Sequence, residues 1–275
     1  ADRRQRQMCI RDSSTHHQYQ AQPIGFPLEE GGQMQAPKKI AATDAIFAHV
    51  QLANRIADES EGVVRISMDT KANVNIGPYS RGGYSRQSVT ACDHDFQPGA
   101  VLKPFGIFLP AFDETYLYFT QSNVTADFMV DALEDLWPVI KARFNPHTIA
   151  INTDNGPENQ SRRTQFMKRL VDFAIENEVS LSLIYYPPYH SKYNPVERVW
   201  GVLENHWKGQ LLDSIEKTLG LARTMTYNGK NPVVKFVNGT YEKGIKLTQK
   251  AMQHIENMIE RLPGIEKWAV EIPCY

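Results

Sequence analysis

An α/β domain built on a mixed sheet is the fold class this sequence predicts, and three observations predict it. Five short apolar segments rich in β-branched and aromatic residues are spaced by amphipathic stretches of helical period. Two of those segments end in an acid, Asp69 and Asp154. A third acid, Glu197, lies at the start of the amphipathic stretch that follows Pro195.

Composition supports a folded domain and narrows its setting. A chain of 275 residues with 41% hydrophobic content buries a sizeable core. A formal net charge of −1 argues against a protein that coats nucleic acid nonspecifically, so any basic groove must be local. Cys9, Cys92 and Cys274 are far apart and lack metal-ligand spacing, which indicates neither a disulfide framework nor a zinc site. No apolar run approaches a membrane span and no signal-peptide pattern opens the chain, so a reducing, cytoplasmic location without membrane contact is expected.

Residues 1–37 are rich in Gln, Gly, Pro and His without hydrophobic periodicity and read as disordered. Within them, Arg3 to Ser13 looks like the translation of a sequencing adapter, with a basic disordered arm the alternative, and is set aside. The first residue is Ala, so an upstream part of the gene is expected to be missing. Residues 38–62 form a leading helix, with Ile46, Phe47, Val50, Leu52, Ala53 and Ile56 at near-helical spacing and Thr43 or Asp44 available as a cap.

Val63 to Thr70 is a β-branched run suited to a buried strand that ends at Asp69. Lys71 to Ser88 is polar, broken by Gly77-Pro78 and Gly82-Gly83, and reads as a long loop or flap. Strands follow at Phe105 to Leu109 and Tyr116 to Thr120, then a helix from Thr125 to Ala142 capped by Thr125. Thr148 to Asp154 is the fourth strand, left through Asn155-Gly156-Pro157. A helix over Ser161 to Glu178 turns Phe166, Leu170, Phe173 and Ala174 inward. Leu181 to Tyr186 is the fifth strand, closed by Pro187-Pro188. Pro195 then opens a helix whose buried stripe is Val196, Val199, Trp200, Leu203 and Trp207.

Strand-strand-strand-helix-strand-helix-strand-helix is the order of the ribonuclease H-like fold, a mixed five-stranded sheet flanked by helices. The catalytic domain is expected over 63–212, with a helical extension packed on it over 213–275: helices at Ser214 to Thr226 and Thr248 to Arg261, and a last strand at Trp268 to Ile272. In such a sheet the first and fourth strands are parallel neighbours. Asp69 and Asp154 then emerge together at the carboxyl ends, and Glu197 points to the same rim.

Converging carboxylates need a compensating cation. Mg²⁺, with Mn²⁺ as substitute, suits oxygen donors. Two ions roughly 3.5–4 Å apart would serve in-line phosphoryl displacement. The expected metal ligands and catalytic residues are therefore Asp69, Asp154 and Glu197. Lys71, Lys192 and Arg198 stand near them as phosphate contacts, and Tyr189 and His190 as nucleic-acid contacts, with plain surface solvation the alternative for each. Glu158 is a second candidate for the third acid, and Glu204 reads as part of a surface pair. Asp93 and Asp95 around His94 read as turn residues.

The stretch Asp154-Asn155-Gly156, followed by Tyr186-Pro187-Pro188-Tyr189-His190-Ser191-Lys192-Tyr193-Asn194-Pro195-Val196-Glu197-Arg198-Val199-Trp200, resembles the second and third acid motifs of DDE transposases. With Arg65 to Lys71, Ile76-Gly77 and His94-Asp95-Phe96, the chain is similar to the Rhodopirellula type of insertion-sequence transposase, also called the ISAzo group, from about Val63 onward. The resemblance implies metal-dependent cleavage at transposon ends in a prokaryotic cell, transfer of the 3′ hydroxyl into target DNA, and a homo-oligomeric active complex. No end-binding helix-turn-helix is recognisable. A ribonuclease H-like nuclease without strand transfer, and a decayed or domesticated transposase that only binds DNA, are the alternatives.

Overall fold

The computed structural model describes residues 42–84 and 98–274. The 1–37 segment with its adapter-like stretch, Cys9, Arg86, Cys92 and the Asp93-His94-Asp95 motif all lie outside the described residues.

Helix α1 (Thr43–Glu59) leads into strand β1 (Val63–Thr70). Ala42 takes the cap position of α1 without a side-chain cap, and Thr43, expected there, is instead a buried helical residue. The polar stretch after β1 is not all loop. Val74–Ile76 forms a short strand β2 whose Val74 and Ile76 are buried, and it pairs with β3 (Ala100–Leu109). Three alternating residues between polar neighbours are too few to stand out by period alone.

Strand β4 (Glu114–Thr120) returns antiparallel to β3. Helix α2 (Ala126–Phe144) starts where the Thr125 side chain accepts a hydrogen bond from Phe128 N–H, as its sequence position predicts. Strand β5 (Thr148–Thr153), helix α3 (Thr164–Asn177), strand β6 (Ser180–Tyr185) and helix α4 (Val196–Trp207) complete the predicted order.

The sheet runs β4-β3-β1-β5-β6 at its centre, with β3 antiparallel to β1, and β5 and β6 parallel to it. This is the ribonuclease H-like arrangement. The sheet is wider than five strands, because the C-terminal part adds to both edges. After helix α5 (Ile215–Thr224), strand β7 (Val233–Val237) pairs parallel with β4. After helix α6 (Gln249–Glu256), strand β8 (Glu260–Arg261) pairs with β9 (Ala269–Ile272), which pairs antiparallel with β6. The extension over 213–275 is thus not only helical. Val233 to Val237 is a run too short, and too half-exposed, to separate from turn residues in sequence.

Side-chain parity on β1 places the layers. Arg65 bonds Asp58 of α1 at 2.7 Å, and Ser67 bonds the start of α4, so both helices cover the face that Asp69 shares. Val64, Ile66 and Met68 face the other way, into a core filled from α2 and α3, where Phe105 meets Phe128 edge-on at 6.0 Å. A second apolar cluster sits under α4 and α5, with Trp207 fully buried among Leu102, Phe119 and Leu203.

Candidate active site

Because β1 and β5 pair in parallel with Ser67 opposite Asn152, continuing the register by two positions sets Asp69 against Asp154. Asp69 is 8% exposed. Its carboxyl is held well above the usual carboxylate range, first by burial, then by the charge of Asp154, then by that of Glu197. Asp69 therefore feels the charge of both other acids. The Thr70 backbone N–H and the Trp200 indole oppose the rise. Among the described residues, the indole N–H has no partner in hydrogen-bond geometry.

Glu197 reaches this rim because the start of α4 is bolted to β1. The Ser67 hydroxyl donates to Asn194 Oδ1 at 2.6 Å and accepts from Val196 N–H at 2.9 Å. Asn194 Nδ2 donates to the Met68 carbonyl at 3.1 Å, and its own carbonyl accepts from Glu197 N–H at 3.0 Å. Helix starts leave backbone donors without intrahelical partners, and here a strand serine caps one of them across the fold. Ser67 and Asn194 are wholly buried, so losing either partner would leave polar groups unsatisfied at about 1–3 kcal/mol each.

Gly106 lets the helix come close. It is opposite Asp69 in the β1–β3 register, and a Cβ there would stand 2.7 Å from the Trp200 ring and 3.2 Å from Val196 Cγ2.

Asp154 is steadied from its own loop. Asn159 Nδ2 donates to Asp154 Oδ1 at 2.8 Å and to Thr153 Oγ1 at 2.7 Å, while the Asn159 carbonyl accepts from the buried Tyr185 hydroxyl at 2.9 Å. A Cβ at Gly156 would meet Asn159 Oδ1 at 2.8 Å and both Asp154 carboxylate oxygens within 3.4 Å. The glycine of Asp154-Asn155-Gly156 is thus required for space beside the carboxylate.

Other expected site residues are placed with their partners. Lys71 is ion-paired with Glu204, which also meets Arg81 at 3.3 Å. Glu158 pairs with Arg163 at 3.1 Å. Lys192 and Arg198 are exposed, Lys192 Nζ lying 5.3 Å over the Tyr193 ring. Tyr189 is 72% exposed, with φ +64°. His190 Nδ1 donates to the Pro188 carbonyl at 2.7 Å, and its ring meets Phe47 edge-on at 5.1 Å. Phe47 also meets Tyr193 at 5.3 Å, so α1 grips the loop that leads to Glu197. Tyr185 and Tyr186 are core residues.

A cleft of about 410 Å³ opens beside the acids, lined by Asp69, Asp154 and Glu158 and, opposite in charge, Lys103 and Lys243. Glu197 is not in its lining. As they stand, no three His, Cys, Asp or Glu side chains among the described residues are close enough to hold one ion. Oxygen-only donors, one of them desolvated, fit Mg²⁺ or Mn²⁺ in kind.

Sequence reasoning missed Asn159, Ser67, Gly106, Phe47 and the two cleft lysines. Only Ser67 carried a signal, since alternation puts it on the Asp69 face of the strand.

Residues 6–274 match the family described as the Rhodopirellula transposase DDE domain, a match that begins within the adapter-like stretch. No curated protein matches in sequence. Among solved structures, the chain is similar to the Mos1 transposase paired-end complex with left transposon end, at 14% identity and a TM-score of 0.45, covering 66% of this chain and 54% of that one. The Mos1 mariner paired-end complex with Mn is similar at 15% identity and 0.45, over 66% and 54%, and the one with Mg at 14% and 0.42, over 66% and 53%. The chain thus spans about half the length of these proteins. No described helix is long and apolar enough to cross a membrane.

Proposed function

The chain belongs to the family of Rhodopirellula transposase DDE domains, and from that premise we propose that it is the catalytic part of a DNA transposase, a polynucleotidyl transferase. Its substrates are the transposon ends and the target DNA, and it works as a homo-oligomer. The observation that supports the reading most is the parallel β1–β5 register, which sets Asp69 against Asp154, together with the bonds from Ser67 that hold the start of α4, and so Glu197, beside β1.

Asp69, Asp154 and Glu197 would hold Mg²⁺ or Mn²⁺, two ions in the full complex, which when bound supply Lewis-acid activation of the nucleophile and stabilisation of the leaving oxygen. Asn159 fixes which Asp154 oxygen faces the cleft. Ser67 and Asn194 hold the first turn of α4, and so Glu197, in register with Asp69. Burial of Asp69 makes its ionised form costly unless a cation offsets it, so a divalent ion there would bind in exchange for the Asp69 proton. Lys192, Arg198 and the exposed ring of Tyr189 stand on the loop and helix around Glu197, where they would meet the DNA backbone and a frayed base.

The test supplies duplexes ending in the inverted repeats that bound the gene, with Mg²⁺ or Mn²⁺. Joined end–target products are expected. Nicks without joining would make the chain a nuclease, and no product from the wild type, with DNA still bound, would make it a binding remnant.

A further inference from the structure

We propose that Lys103 and Lys243 form a phosphate-binding wall facing the acids, taking the backbone phosphates of the nucleic-acid strand in the cleft. This rests on the DNA reading above and deepens it. Both lysines line the same cleft as Asp69 and Asp154, so the cavity is acidic on one side and basic on the other. A phosphodiester is matched to such a cleft: its anionic oxygens need cations on both flanks, and the acids can supply theirs only by way of a metal ion.

Lys103 is pre-set for this role. It lies on β3, three residues before Gly106, and its ammonium donates to Asn123 Oδ1 at 2.9 Å. Among the described residues its partner is thus a neutral amide, whereas Lys71 is held by Glu204. Asn123 Nδ2 donates to the Tyr241 carbonyl at 3.2 Å, and the Tyr241 hydroxyl donates to Asp131 at 2.8 Å. Asn123 is a positioning residue that ties Lys103 to the segment carrying Lys243. That segment follows β7, so the C-terminal extension contributes a wall of the site and is not only a support.

The probe is a fluorescein-labelled duplex oligonucleotide, bound by the full chain in Ca²⁺, an oxygen-seeking ion, over a series of salt concentrations. The wild type is expected to bind with a salt slope that Lys103→Gln and Lys243→Gln each lower by about one contact's worth. Lys103→Arg restores both slope and affinity. Lys217→Gln, at a lysine paired with Asp213 away from the cleft, leaves the slope at the wild-type value. Lys243 is exposed, so its variant keeps the test sound even where Lys103→Gln disturbs packing. If the wild type binds and both glutamine variants keep its slope and affinity, the phosphate wall is wrong while the DNA reading stands. If the wild type itself does not bind duplex, the DNA reading falls.

Discussion

Asp69 concentrates the physics of the site in one side chain. Folding buries it beside two other acids, so its folded pKa lies above its unfolded value of about 3.9. The folded chain therefore holds the Asp69 proton more tightly than the unfolded chain. Its contribution to stability is fully present below pH of about 4 and is lost as pH rises through the folded pKa. In EDTA, Asp69→Asn is expected to melt above the parent at neutral pH, by about 2–4 °C for each kcal/mol of relieved repulsion. The gap should close near pH 4, and Mg²⁺ should raise the parent's midpoint more than the variant's. Thermal scans across pH check this, and a parent that outlasts Asp69→Asn in EDTA at neutral pH would contradict it. The acids at this scale were legible in sequence because each ends or begins a periodic segment. Asn159 and Lys103 were not, because a polar residue in a loop or on a strand shows its purpose only through its partner.

Helix α4 is the element on which the geometry turns. Its apolar stripe was readable from period, and Val196, Val199, Trp200, Leu203 and Trp207 are all buried. What period could not show is how closely the helix approaches the sheet, which depends on a missing side chain at Gly106 in another strand. Gly106→Ala drives a methyl into the Trp200 ring and should cost about 1–3 kcal/mol as overpacking. Since Glu197 rides on the same helix, cleavage should fall at least tenfold in kcat with KM for DNA little changed. Denaturant melts and single-turnover kinetics measure both effects; a stable variant with parental kcat would show that the approach of α4 does not position Glu197. The short strands β2, β7 and β8 escaped the sequence for a related reason: each is fixed by a neighbouring strand that supplies its hydrogen bonds.

At the scale of the molecule, a five-stranded centre carries the acids and its borders carry much of what holds them. Helix α1 grips the loop before α4 through Phe47, and the chain after β7 reaches back to Lys103 through Tyr241 and Asn123. The strand order was legible because consecutive segments of distinct period leave few topologies open. The borders were not, because contacts such as Phe47 with Tyr193 and Asn123 with Tyr241 join residues more than a hundred positions apart. We propose that Asp69, Asp154 and Glu197 together are the cation site, with Glu158 outside it in its pair with Arg163. Mn²⁺ binding followed by electron paramagnetic resonance, on the parent and on Asp69→Asn, Asp154→Asn, Glu197→Gln and Glu158→Gln, tests it most directly. The first three variants are each expected to weaken binding at least tenfold, and Glu158→Gln to bind as the parent does. Undiminished binding by Glu197→Gln, with binding lost in Glu158→Gln, would contradict it.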